Sequence, residues 1–236
     1  PPAVVPAGVR RSLRSLHRDL VFRRALKRFS RDPSAIAESP GSVISDLVYG
    51  WGNADWSGQD EYLRGCVKHA LASKGPILEC GSGLTTVLLG VIAQRVGTKV
   101  WSLEHLPAWS ERVQKCLRRY GITSVELCTK PLKNYGGFDW YAPPVVSMPD
   151  DFALVICDGP PSATRGGRYG LVSVMKRSLA PGCIILLDDA EREGEQDVAR
   201  RWLLELPSGC ERRGLRKPYF VLTRQSNATG NQSPSR

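Results

Sequence analysis

What most constrains this 236-residue chain is the alternation of two hydrophobic periods from Pro76 onward. Short apolar runs fit strands at 77–80, 99–104, 124–128, 152–157, 183–187 and 219–223. Helical patterns fall between them at 84–96, 108–120, 167–179 and 193–206. Strands separated by helices pair in parallel, because each crossover returns the chain to the same end of the sheet, and the helices then cover both faces. The final segment, "CERRGLRKPYFVLTR", has two runs joined by a Gly/Lys/Pro turn and reads as an antiparallel hairpin. The expected class is therefore α/β, with a mostly parallel sheet.

Upstream of this alternation, "WGNADWSGQDEYLRGCVKHALASKG" predicts a helix capped by Ser57 and ended by Gly75. The arm "VRRSLRSLHRDLVFRRALKRF" places Leu13, Leu16, Leu20, Ala25, Leu26 and Phe29 at helical spacing among basic residues. Residues 1–40 hold nine Lys/Arg against three acids, so most of the net charge of +10 belongs to this arm. A basic amphipathic helix over residues 10–31 can dock on its own domain, lie on a membrane surface, contact nucleic acid or serve as a dimer element. "RDPSAIAESPGS", 31–42, is the best linker candidate. This divides the chain into an arm and linker at 1–40, a main domain at 41–223 and a polar, disordered tail at 224–236. The sequon at Asn227, in that tail, is taken as chance.

No apolar run approaches the ~20 residues of a membrane span. The opening residues lack a signal-peptide pattern, and a first residue that is Pro rather than Met points to a trimmed or processed chain. Seven cysteines form no CxxC pair, and their odd number argues against a disulfide framework. Cys80, Cys128, Cys157 and Cys183 lie in or beside strand candidates, as small core residues of a reducing, cytoplasmic compartment would.

In "PILECGSGLTTVLLG", Ile77-Leu78-Glu79-Cys80 reads as a strand and Gly81-Ser82-Gly83 as a turn that approaches a ligand closely. A dinucleotide fold would want a third glycine at position 86, which is Thr. A phosphate loop would want a lysine after the last glycine, and none is present. Glu104 ends the second strand, where a carboxylate can accept both hydroxyls of a ribose; the competing role is a helix-capping acid. An acid, GxG and a second acid suit a nucleoside with a charged amino-acid tail better than one with phosphates.

These motifs, with "FALVICDGPP" as the fourth strand and "APGCIILLDD" as the fifth, resemble the class I S-adenosylmethionine-dependent methyltransferases over residues 55–223. The resemblance implies a Rossmann-like, seven-stranded sheet closed by the C-terminal hairpin. It also implies S-adenosylmethionine held by Glu79, Gly81, Ser82, Gly83, Thr85, Glu104, His105, Thr129, Lys130 and Asp158.

Asp158 closes the fourth strand and Asp188-Asp189 close the fifth, so three carboxylates should converge at the carboxyl ends of the sheet. Their repulsion calls for a cation or raised pKa values. The pattern resembles the metal-dependent O-methyltransferases of the catechol type, which implies Mg²⁺ or another divalent ion on Asp158, Asp188 and Asp189, with Asp158 and Asp188 catalytic. Two departures stand out. Asp189 takes the place of an Asn, and Pro161 occupies the position of a lysine base. "DGPP" also resembles the Asp-Pro-Pro-aromatic motif of base-directed enzymes, but Ser162 replaces the aromatic. "DGPPSATRGGRYG" reads as a flexible loop carrying Arg165, Arg168 and Tyr169, and Trp140 and Tyr141 either wall a substrate or pack a loop.

The expected function is O-methylation of a small-molecule acceptor, with or without metal. The alternatives are a nucleic-acid methyltransferase that uses residues 10–31 and a non-catalytic cofactor-binding module. A nicotinamide oxidoreductase is disfavoured by Thr86.

Overall fold

The computed structural model describes residues 7–39, 41–52 and 60–226. Four helices come first: α1 (Ala7–Arg31), α2 (Pro33–Glu38), α3 (Val43–Trp51) and α4 (Asp60–Ala72). Then follow β1 (Ile77–Cys80), α5 (Leu84–Val96), β2 (Val100–Glu104), α6 (Pro107–Arg119) and β3 (Val125–Thr129). A small hairpin of β4 (Lys133–Asn134) and β5 (Asp139–Trp140) precedes β6 (Phe152–Cys157) and α7 (Gly170–Met175). The chain continues through β7 (Leu179–Leu187), α8 (Glu193–Glu205), β8 (Ser208–Arg213) and β9 (Tyr219–Arg224). The helix cap at Ser57, the sequon at Asn227 and most of the polar tail lie outside the described residues.

The main sheet has seven strands in the order β3-β2-β1-β6-β7-β9-β8. The first five pair in parallel, while β9 runs antiparallel to both β7 and β8. Strand order reverses beside β1, and the crevice between β1 and β6 is where such sheets bind ligands. The register sets the level of the strand tips. Cys80 pairs with Leu103 and Cys157, and Cys157 pairs with Leu187. Gly81, Glu104, Asp158 and Asp188 therefore emerge side by side.

Alternation along the strands feeds a core on each face. Ile77, Leu154 and Ile156 face one core, with α4 and α5. Leu78, Val155 and Cys157 face the other, with Trp140, Met175 and Trp202. The N-terminal segment belongs to the first: Phe22, Ala25, Leu26 and Phe29 of α1 are buried among Leu47, Leu63 and Leu88. Each such large side chain contributes about 1.5–3 kcal/mol by leaving water. Leu13, Leu16 and Leu20 of the same helix remain exposed, and Asp19 pairs with Arg119 of α6.

Two local expectations are corrected. The candidate linker is largely α2: Asp32 caps it by accepting from Ala35 N at 3.0 Å, Pro33 opens it, and Arg64 donates to the carbonyls of Ala37 and Glu38 at its end. Proline at the first helical position starts a helix rather than breaking one. The helix expected over 167–179 is shorter, because β7 begins at Leu179, ahead of Pro181 and Gly182, and its pairing with β6 shifts register between Phe152 and Leu154. All seven cysteines are unpaired. No helix among the described residues is long and apolar enough to cross a membrane.

Candidate functional site

A cleft of about 710 Å³ opens at the carboxyl ends of β1, β2, β6 and β7. Its floor is the turn after β1. Gly81 sits at φ 92, and a Cβ there would meet the Gly159 backbone at 3.2 Å, so only glycine fits. Gly83 is different: its φ of 176 is ordinary extended backbone, and a Cβ would meet nothing within 4 Å. It leaves open space over the start of α5.

Glu79 secures this turn from behind. Thr86 and Ser102 hydroxyls donate to its Oε2 at 2.7 and 2.6 Å, and Thr86 Oγ1 in turn accepts from Gly83 N at 2.7 Å. The Glu79 side chain is buried, and its Oε1 has no hydrogen-bond partner. Burial pushes its carboxyl up to about 7, against the hydrogen bonds of Ser102, Thr85 and Thr86. Expected to touch the cofactor, Glu79 instead lies beneath the cleft and is not part of its lining.

Glu104 lines the cleft with both carboxylate oxygens engaged. Oε2 accepts from Ser82 N at 3.1 Å and Ser82 Oγ at 2.7 Å, while Oε1 accepts from His105 N and Leu106 N at 2.7 and 2.8 Å. Of these four donors only the Ser82 hydroxyl can rotate aside. Trp109 Nε1 donates to Ser82 O at 2.7 Å and places its ring on the cleft wall. Of the residues that the resemblance implies for the cofactor, Thr85 and His105 reach the lining, and Thr129 and Lys130 do not. The Thr129 hydroxyl is engaged with Ser110 of α6, and Lys130 N donates to Glu104 O at 3.0 Å at the end of β2.

The three acids converge as the strand tips require, with potential ligand oxygens of Asp158, Asp188 and Asp189 all within 4.8 Å of one another. The cation among them is a side chain. Arg168, only 3% exposed, donates from Nη2 to Asp158 Oδ1 at 3.1 Å and Asp189 Oδ2 at 2.9 Å, and from Nη1 to Asp188 O at 2.8 Å. Its Nε lies 3.8 Å from the buried Glu195. Burial opposes the charge on Arg168, but Asp158, Asp189 and Glu195 outweigh it and hold the guanidinium above its ordinary pKa. Burial also pushes Asp158 up to about 6, with Arg168 opposing, and Asp188 up to about 8, where Asp158 and Asp189 add repulsion. Asp189 is at φ 61, a left-handed conformation rare outside glycine, and is clasped by both Arg168 and Arg192 at 2.9 Å.

The resemblance implies a divalent ion on these three carboxylates. Such an ion takes oxygen ligands at ~2.0–2.6 Å. Asp158 Oδ1 and Asp189 Oδ2 are both turned toward one nitrogen of Arg168, so two of the three expected ligands already serve a cation. A divalent ion on these oxygens would sit against that fixed positive charge, so the trio suits the guanidinium better than a metal ion.

In the sequence Arg168 is one of several basic residues near the acids, with no spacing that singles it out. The available signal was the second arginine of "RGGRYG", set among glycines, where Gly166 and Gly167 have positive φ and Gly170 lies against Trp140. The surrounding loop is tied down: Ser162 Oγ donates to Glu195 Oε1 at 2.7 Å, and Arg165 pairs with Asp139 at 2.9 Å. Both loop aromatics, Trp140 and Tyr141, pack in the core, and Tyr141 also reaches the cleft. Arg192 and Lys217 also line it, and no motif pointed to either.

No family model and no curated protein matches the sequence. Solved structures do match the fold. An S-adenosylhomocysteine-bound methyltransferase from Podospora anserina is covered over 100% of its length by 96% of this chain, with TM-score 0.58 at 13% identity. The fold is that of the class I methyltransferases. A methyltransferase from Geobacter sulfurreducens aligns over 72% of this chain and 81% of its own, with TM-score 0.54 at 14% identity. The O-methyltransferase TomG from Streptomyces achromogenes, involved in tomaymycin synthesis and bound to SAM, aligns over 86% and 90%, with TM-score 0.53 at 15% identity. The cleft described above lies at the switch point of this methyltransferase fold.

Proposed function

We propose that this chain is an S-adenosylmethionine-dependent methyltransferase acting on an oxygen of a small-molecule acceptor. The observation that carries this is the sharing of one cleft by the Gly81–Gly83 turn, Glu104 and the carboxylates of Asp158 and Asp188. Glu104 would accept the ribose hydroxyls as the Ser82 hydroxyl turns away. Thr85 and the free N–H groups at the start of α5 would receive the methionyl carboxylate. Trp109 and His105 offer walls for the adenosine. The acceptor would then lie over Asp158 and Asp188, below Tyr141.

Transfer is an in-line displacement. A lone pair of the acceptor oxygen attacks the methyl carbon, the carbon–sulfur electrons return to sulfur, and the hydroxyl proton passes to the ionised form of Asp188, whose share grows as pH rises toward about 8. Such a reaction depends on alignment and exclusion of water more than on strong acid–base chemistry. The two neighbours just described as methyltransferases bound to S-adenosylhomocysteine and SAM support the choice of cofactor.

Calorimetric titration with S-adenosylhomocysteine, with NAD as control, tests the reading. Micromolar binding of the former alone is expected, and Glu104→Gln should weaken it. Binding of NAD instead, or of neither compound, would overturn the proposal. Transfer of labelled methyl to a panel of phenols and sugars then decides the acceptor. Transfer to RNA but to no small molecule would favour the nucleic-acid alternative.

A further inference from the structure

We propose that Arg168 is a built-in substitute for the divalent ion, so that the acid trio of this chain works without metal. The inference rests on the methyltransferase reading of the cleft and deepens it, because it changes how the acceptor is held.

The placement of Arg168 is enforced from several sides. Gly166 and Gly167, at φ 80 and 52, turn the chain inward. Two residues further on, Gly170 lies so close to Trp140 that a Cβ would stand 2.3 Å from its Cγ. Trp202 Nε1 donates to Tyr169 O at 2.9 Å, and the Tyr169 hydroxyl bonds Glu205. With its backbone pinned on both sides, the guanidinium has one place to go, between the tips of β6 and β7. There its Nη2 also reaches Asp158 O at 3.2 Å, so this nitrogen alone faces three acceptors.

The charges match this assignment. Asp158, Asp188, Asp189 and Glu195 surround the guanidinium, and Arg192 joins it at Asp189. A divalent ion drawn to the same oxygens would meet a fixed positive charge at close range, and like charges in a shielded site repel strongly. A guanidinium differs from a metal in one functional respect. Its two Nη groups here donate to protein acceptors, and its Nε, which has no hydrogen-bond partner, is buried 3.8 Å from Glu195, so it does not present a pair of N–H groups to two oxygens of a substrate. The acceptor this site suits therefore needs a single hydroxyl, with no requirement for a vicinal pair.

The test uses the full chain and Mn²⁺ as probe, read by the free-ion EPR signal, with S-adenosylhomocysteine binding measured on the same sample. The wild type should leave the Mn²⁺ signal unchanged, and a chelator should alter neither its Tm nor its affinity for S-adenosylhomocysteine. Arg168→Met, which keeps length and removes charge, should bind one Mn²⁺ per chain and gain Tm with it, and adding Asp188→Asn should abolish that binding. Arg168→Lys retains a cation and should stay silent to Mn²⁺, which covers the case in which the Met variant does not fold. Mn²⁺ binding by the wild type that is lost on Asp188→Asn would overturn the proposal. Loss of S-adenosylhomocysteine binding with a silent Mn²⁺ signal would instead count against the methyltransferase reading alone.

Discussion

Glu79→Gln offers the sharpest check on the buried scaffold behind the glycine turn. In the folded protein the Glu79 carboxyl is pushed up from 4.5 to about 7, first by burial and then by Asp158. Between those two values the folded state keeps a proton that the unfolded chain releases. Stability must therefore fall as pH rises through that window, and level off above about 7. A difference of roughly 2.5 pH units, at about 1.4 kcal/mol each, makes the loss about 3–4 kcal/mol. Glutamine keeps the shape, and its carbonyl can accept from Thr86 and Ser102 as Oε2 does now. Its amide would sit where Oε1 has no partner, a pH-independent effect that shifts the whole curve without tilting it. Asp158 and Asp188 also have raised pKa values, so the wild-type profile alone mixes several groups. The difference between wild type and variant isolates Glu79. Urea unfolding followed by tryptophan fluorescence at half-unit steps from pH 4.5 to 8 supplies it. The variant should gain about 3–4 kcal/mol on the wild type across the window, and a flat difference would refute a buried, proton-retaining Glu79.

Phe29→Ala should cost ~3–5 kcal/mol in urea unfolding, because Phe29 of α1 is fully buried in the core; a cost below ~1 kcal/mol would mean the basic segment is dispensable. Gly81→Ala should lower Tm and abolish S-adenosylhomocysteine binding, since it meets both a left-handed φ and the Gly159 backbone, whereas Gly83→Ala should leave Tm nearly unchanged. Glu104→Gln should weaken S-adenosylhomocysteine roughly ten- to a hundredfold by calorimetry, from the ~1.5–3 kcal/mol of a hydrogen bond to a charged group. Asp188→Asn should leave that binding intact and abolish methyl transfer in the labelled-methyl assay.

Much of the fold is legible in the chain because strand and helix periods are local, and strands joined by helices have little choice but to run parallel. The acids at 104, 158 and 188 were also legible, as each ends an apolar run, and the register then brings such ends to one level. Harder to see was the division of labour among them. Glu79 and Glu104 are both strand acids beside a glycine turn, yet one faces α5 and the other the cleft, because they lie on different strands and meet different neighbours. Likewise Trp140 and Tyr141 are adjacent and both buried in the same core, yet Tyr141 alone also edges the cleft.

By itself, then, the sequence determined the order of strands and helices, the tight turn at Gly81 and the convergence of three carboxylates, all consequences of local period and chain direction. The tertiary structure alone decided what stands among those carboxylates. Arg168 lies 10 residues from Asp158 and 20 from Asp188 along the chain, so no local pattern links them. They meet because Gly170 lets the loop close on Trp140, a contact between residues 30 apart, and because three converging acids, Asp188 buried and the other two half-buried, need a positive charge wherever the fold can supply one. The same holds for α1, whose basic, amphipathic sequence suits a free arm and a docked helix alike. Its burial follows from a complementary apolar surface formed by α3, α4 and α5, which exists only once the chain is folded.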